Sequence, residues 1–275
     1  MSTINKSNSP AATCNIQIRY NNISNRDLVR PNLFHNKKDY LFGQACPFSL
    51  DRLIDTLSQK LKGKKITLLD VGCGHGLVIS ALRGKYPNLE VEGLDARPYP
   101  SVIQEDAHEI AESKKLEGKN YDLIVSAGMV RNLVHPLFFV EQAYKKLNKG
   151  GFLILDSLLI QGLGEEEDGL IQRLKKDGHQ VFAETVEKTD FDNVNYSLFM
   201  MKKTKNDLKF PVAFFIDTST AVPASLKTLS YEFKEKIDEA LPDLISENEY
   251  KQKVSDFFDV EDLFPPLELE EKKSC

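Results

Sequence analysis

The chain has 275 residues, 41% of them hydrophobic and 28% charged, which is enough to bury one sizeable core with extensions and too few for two full domains. A formal net charge of −5 disfavours non-specific binding to a phosphate backbone. Cys14, Cys46, Cys73 and Cys275 lie far apart, with no Cys-x-x-Cys spacing and no accompanying histidines, so neither a disulfide framework nor a structural metal is indicated; no secretory-type start and no bilayer-length apolar run is present, and a reducing, cytoplasmic compartment is expected.

In chain order, residues 1–15 are rich in Ser, Asn and Thr with little to bury and read as a disordered lead. Residues 16–47 follow as an N-terminal lid or substrate segment containing His35 and Tyr40, although Tyr40 reads equally well as ordinary core. From Ser49, the stretch SLDRLIDTLSQKLKG sets Leu50, Leu53, Ile54, Leu57 and Leu61 on one helical stripe, with Ser49 as N-cap and Gly63 as the stop. Strands and helices then interleave: strand 65–71, helix 77–86, strand 89–94, short strand 101–105, strand 121–126, helix 136–147, strand 152–155, helix 169–176, and strands 180–186 and 195–202. The alternation predicts an α/β core over 48–204, an open and largely parallel doubly wound sheet covered on both faces, whose ligands bind at the carboxyl ends of the strands. Residues 205–264 read as a C-terminal extension, with a strand or buried segment at 210–216 and a helix at 230–240; from about Pro242 the chain turns acidic, and 265–275 read as a loose acidic tail.

The chemistry concentrates in Asp70-Val71-Gly72-Cys73-Gly74-His75-Gly76, which follows an apolar strand and opens a helix. Glycines in that setting let backbone approach a ligand with no Cβ in the way, although structural turns collect glycine too. A dinucleotide fingerprint, G-x-G-x-x-G, would place its third glycine at position 77, which is Leu77; the spacing here is G-x-G-x-G. Asp95 ends the next strand about twenty residues on, where a carboxylate can accept both hydroxyls of a ribose. Asp106, in Gln104-Glu105-Asp106-Ala107, ends the strand after that. Singly, each acid could be a surface residue; the signal is their order at successive strand ends.

At every defined position, Asp70 to Gly76 resembles the D-x-G-x-G-x-G first motif of class I S-adenosylmethionine-dependent methyltransferases. Tyr121-Asp122-Leu123-Ile124-Val125-Ser126 is similar to the family's fourth-strand motif. Lys146-Leu147-Asn148-Lys149-Gly150-Gly151-Phe152-Leu153-Ile154 is similar to its entry to strand five, with Asn148-Lys149 where the family often has Lys-Pro, and 180–202 resembles its closing antiparallel hairpin. The likeness covers about 50–204. It implies a Rossmann-like, seven-stranded, mostly parallel sheet with an antiparallel last strand and a helical C-terminal extension, and S-adenosyl-L-methionine as cofactor with S-adenosyl-L-homocysteine as product. It further implies that Asp70, Gly72, Cys73, Gly74, Gly76, Ala96 and Ser126 belong to the cofactor site, that Asp95 holds the ribose, and that Asp106 meets the adenine amino group while the Ala107 backbone meets the ring. One departure stands out: only about ten residues, including Pro98 and Pro100, separate Asp95 from Asp106, so the helix most members place there is expected to be missing or reduced to a turn. Ribose-methylating RNA enzymes resembling the heat-shock methyltransferase family share this shortening but use a Lys-Asp-Lys-Glu set. Ser126 stands where their aspartate would fall, so that activity is not carried over.

Methyl transfer from a sulfonium is an in-line displacement, for which alignment alone can supply effective molarities of roughly 10⁵ M or more. A base would add about 10² to 10⁴. His135, in Arg131-Asn132-Leu133-Val134-His135-Pro136, is the preferred candidate base, against its reading as a polar residue that begins the helix at Pro136. His75 reads as exposing its ring to solvent or cofactor, and Asp156 as facing an acceptor or capping a turn. The favoured expectation is methylation of an oxygen, nitrogen or carbon of a small-molecule acceptor, in a pocket built by the flanking segments, with no metal. A protein or RNA acceptor, or a cofactor-binding module that transfers nothing, are the alternatives.

Overall fold

The computed structural model describes residues 48–130, 133, 136–155, 170–186, 196–204, 208–209 and 246–258. Helix α1, Leu50–Lys60, forms where the stripe predicts it: Ser49 is in the β region, and its side chain accepts from the Arg52 N–H at 3.3 Å. Asp51 in the first turn and Lys60 in the last complement the helix dipole. Gly63, at φ +75°, follows the helix end in a left-handed conformation that glycine adopts without strain.

Seven strands follow: β1 Ile66–Val71, β2 Leu89–Asp95, β3 Ile103–Gln104, β4 Tyr121–Ser126, β5 Leu147–Leu155, β6 Gln180–Val186 and β7 Tyr196–Lys202. They lie in the order β3-β2-β1-β4-β5-β7-β6, with β7 antiparallel to both of its neighbours and the remaining pairs parallel. Helices α2 Leu77–Lys85, α3 Pro136–Lys145, α4 Leu170–Lys176 and α5 Glu247–Phe258 complete the described set. One face carries a core cluster joining α3, α4 and the residues after β3; the other is covered by α1, α2 and α5. β1 shows why the sheet is buried on both sides. Leu69 and Val71 enter the first cluster and Ile66 and Leu68 the second, all fully buried, as a parallel strand between helical layers requires.

Three differences from the sequence expectation have physical reasons. β5 begins at Leu147, not Phe152, because the Asn148-to-Gly151 turn is absorbed as a bulge: Tyr121 pairs with Leu147, and the next pair is Leu123 with Phe152. Asn148 Nδ2 donates to Asp122 Oδ1 at 2.8 Å, and a Cβ on Gly151 would sit 2.9 Å from the Asp122 carbonyl oxygen. The strand expected at 101–105 shortens to Ile103–Gln104. It is followed by two 3-10 turns, Ala107–Glu109 and Lys114–Leu116, that the sequence reading lacked.

The third difference is at the C-terminal end. The helix expected at 230–240 lies outside the described residues, whereas Glu247–Phe258, inside the stretch read as an acidic tail, is helical. Its charges occupy the solvent side, while Tyr250, Val254 and Phe258, four residues apart, are buried on one stripe. Phe258 stacks on Phe48 at 5.7 Å and meets Phe152 at 5.0 Å, and Tyr250 meets Phe182 edge-on at 5.9 Å. None of the described helices is long and apolar enough to cross a membrane.

Candidate functional site

Strand order reverses between β2-β1 and β4, so the carboxyl ends of β1, β2 and β4 open onto one crevice, where open α/β sheets bind ligands. The glycine turn closes that end of β1. Gly72, at φ +78°, donates its N–H to the Leu94 carbonyl at 2.7 Å, and a Cβ there would lie 2.5 Å from Met129 Cγ, so the turn requires glycine for both conformation and space. Gly74 is the opposite case: its N–H donates to Asp95 Oδ2 at 2.9 Å, and nothing lies within 4 Å of where its Cβ would be, which marks open space beside the turn. Gly76 precedes α2 with no side-chain cap. Cys73 is half-buried, its thiol pushed up by burial and by the carboxylates of Asp70 and Asp95, which keeps it protonated and unreactive; its sulfur packs over Gly93.

Asp70 and Asp95 stand at the ends of neighbouring strands. Asp95 is tied down on both oxygens, Oδ2 accepting from Gly74 and Oδ1 from the Arg97 N–H at 3.0 Å. A carboxylate has about four acceptor sites, so each oxygen retains capacity for a hydroxyl donor. Asp70 is 5% exposed, and no group among the described residues donates to its carboxylate. Burial, and secondarily Asp95, push its carboxyl up to about 7. Its charged form is costly there unless a cation meets it.

The remaining sequence-predicted residues fall around the same end of the sheet. Asp106 is buried and caps the 3-10 turn, accepting from the His108 N–H at 2.9 Å with His108 Nδ1 2.8 Å from the same oxygen; Ala107 is buried beside it. Ala96 is half-buried, and its carbonyl accepts from Gln104 Nε2 at 3.4 Å. Ser126 is fully buried at the end of β4, and its Oγ has no hydrogen-bond partner among the described residues. His135 and Asp156 lie outside the described residues, as do His35 and Tyr40.

As expected from the Asp95-to-Asp106 spacing, no helix occupies the β2–β3 connection. In its place Tyr99 reaches the glycine turn and packs its ring against that of exposed His75, centroids 4.3 Å apart. Sequence reasoning missed Tyr99, Met129 and His108. The first was one aromatic among prolines and the second a residue beyond a strand end; His108, two places after Asp106, carried a signal only once that acid was known to be buried.

A doubly wound sheet with a G-x-G-x-G turn at its first strand and acids at the tips of the next two is the arrangement in which open α/β proteins meet nucleotide-like ligands, and an acid and a hydroxyl with no partner among the described residues lie at that end. Residues 44–196, more than half of the chain, match a family model described as a methyltransferase domain, and the chain belongs to that family. That domain places the chain in the family of class I, S-adenosylmethionine-dependent methyltransferases. A tRNA U34 carboxymethyltransferase of Wolinella succinogenes is 32% identical over 143 residues, covering 44% of this chain and 50% of that protein. One of the same name from Pseudoalteromonas translucida is 30% identical over 127 residues, covering 41% of this chain and 37% of that protein. The chain thus matches half or less of the length of these curated relatives. Among solved structures, the CurJ carbon methyltransferase superposes with a TM-score of 0.40 at 15% identity, over 55% of this chain and 52% of its own.

Proposed function

We propose that this methyltransferase holds its donor across the carboxyl ends of β1, β2 and β3 and methylates an oxygen, nitrogen or carbon of a small-molecule acceptor. In this reading Asp95, with Ala96 beside it, takes the ribose hydroxyls, Asp106 the adenine amino group and the Ala107 backbone the ring. Gly72, Cys73, Gly74 and Gly76 offer backbone to the amino-acid end, Asp70 faces the positive charge, and Ser126 closes the floor at β4. The bound donor supplies an activated methyl on sulfur. The protein's part is to exclude water and hold the acceptor atom in line behind that methyl. Should the acceptor be a hydroxyl, His135 is the proposed base.

The observation that supports the donor site best is Asp70: a buried carboxylate beside a second carboxylate, with no cation from the described residues to balance it. For the acceptor, the net charge of −5 weighs against a phosphate-rich polymer. Segments 16–47 and 205–245 are proposed to build the acceptor pocket, since the apolar stripe of α5 is taken up by the core. The four cysteines, with no pairing pattern, fit a reducing, cytoplasmic setting.

A second reading, an RNA acceptor, is favoured by the names of the two tRNA-modifying relatives. Incubation of the full chain with methyl-labelled donor and a cell extract, followed by separation into small molecules, RNA and protein, distinguishes the readings. Label in the small-molecule fraction is expected. Label confined to RNA would replace this proposal with the second reading, and label confined to protein would overturn both.

A further inference from the structure

Glycine loses more conformational freedom on folding than any other residue, so a turn built on Gly72, Gly74 and Gly76, all at positive φ, needs outside contacts to hold one shape. Met129 and the Leu94 carbonyl hold Gly72, and Asp95 holds Gly74. The far end of the turn, His75-Gly76, meets the β2–β3 connection instead. Tyr99 lays its ring against the His75 ring, centroids 4.3 Å apart, and Val102 Cγ2 would lie 3.5 Å from a Cβ on Gly76. Tyr99 and Val102 are themselves the two ends of a tight turn, in which the Val102 N–H donates to the Tyr99 carbonyl at 3.3 Å. Pro100 takes the second place, and Ser101 the third at φ +61°, a left-handed conformation ordinarily left to glycine. Pro98 and Pro100 fix φ on either side of Tyr99. The base of the connection is closed by the Glu105 N–H, which donates to the Asp95 carbonyl at 3.0 Å. A left-handed serine persists only where its surroundings over-determine it, and a segment so constrained presents Tyr99 in one place.

We propose that Tyr99 is a donor-positioning residue: through its ring contact with His75 it clips the far end of the glycine turn into the shape that binds the donor. This rests on the reading that the glycine turn takes the donor. The benefit is preorganisation, since a turn already held loses less freedom when the ligand arrives and the ligand binds more tightly for it. Nothing in the spacing of the glycines calls for an aromatic residue at position 99, so the clip belongs to this chain's own short connection, in which no helix stands between β2 and β3.

The test is a double-mutant cycle on the full chain, read by calorimetric titration with S-adenosylhomocysteine. Tyr99→Ala and His75→Ala are each expected to weaken binding about tenfold, the upper range for loss of an aromatic pair. Tyr99→Phe keeps the ring and should bind within about twofold of the wild type, since among the described residues the Tyr99 hydroxyl makes no hydrogen bond. The double variant Tyr99→Ala with His75→Ala should bind no more weakly than either single one, because both remove the same contact. If Tyr99→Ala does not fold, His75→Ala, at an exposed position, carries the same expectation of a tenfold loss. Losses that multiply to about a hundredfold in the double variant would mean that the two rings act separately, and would overturn the proposal. So would variants with a lower melting temperature but unchanged affinity in the folded protein, the result of a merely structural contact. A wild type that does not bind adenosylhomocysteine would instead refute the reading of the glycine turn as the donor site, and the inference with it.

Discussion

On the β5-β7-β6 side of the sheet, α5 lays Tyr250, Val254 and Phe258 in one cluster with Phe48, Phe152 and Phe182, with ring contacts of 5.0 to 5.9 Å. On the β2-β1-β4 side, the strand ends carry a buried acid and a hydroxyl that have no hydrogen-bond partner among the described residues, a second acid, and a chain of left-handed glycines. The first region is satisfied apolar packing that lowers the free energy of the fold by itself. The second is polar and like-charged, and its turn takes backbone conformations that suit glycine and few other residues. Unfavourable local features of this kind collect at binding sites.

The widest separation of the two regions is expected from Tyr250→Ala. Emptying a fully buried aromatic position should cost about 3 to 5 kcal/mol in denaturant-melt stability. Adenosylhomocysteine affinity of the folded fraction should stay within about twofold, since the residue lies in the aromatic cluster and not at the strand ends. A large loss of affinity in well-folded protein would break the comparison.

Gly72→Ala should fail in both respects. A Cβ at φ +78° facing Met129 adds left-handed strain of about 1 to 2 kcal/mol to an overpacking cost of about 1 to 3. Binding of adenosylhomocysteine, followed by calorimetry, should weaken at least tenfold because the turn itself must move. Tolerance of alanine, with binding intact, would show that the close approach to Met129 is not needed.

Asp70→Asn is the smallest change and the sharpest, because its two effects have opposite signs. The Asp70 carboxyl titrates near 7 in the fold against about 3.9 unfolded, so between those values the folded state binds the extra proton. The stability this acid allows is fully present below about pH 4 and is lost as pH rises through about 7. The asparagine variant should therefore match the wild type near pH 4 and exceed it by about 1 to 3 kcal/mol above pH 7, read from melts at several pH values. Its adenosylmethionine affinity should nonetheless fall, by about tenfold, because the cationic ligand loses its counter-charge. A variant that gains stability without losing affinity would remove Asp70 from the donor site.

The sheet and the donor-site motif were legible early because both rest on short-range rules. Ser49 caps α1 through its own side chain three residues on, the apolar runs of β1 and β4 demand burial on two faces, and a glycine turn between strand and helix needs no distant partner to be recognised. The missing β2–β3 helix was likewise a matter of counting residues from Asp95 to Asp106. What the tertiary structure alone decided depended on distant partners. α5 was hidden in charge, since its three buried residues mean something only when Phe48, Phe152 and Phe182, far away in the chain, form the surface that receives them. The bulge that starts β5 early is set by Asp122 reaching Asn148 across two strands. The protonation of Asp70 and the contact of His108 with Asp106 are consequences of burial, and burial is a property of the assembled core that no single stretch of sequence contains.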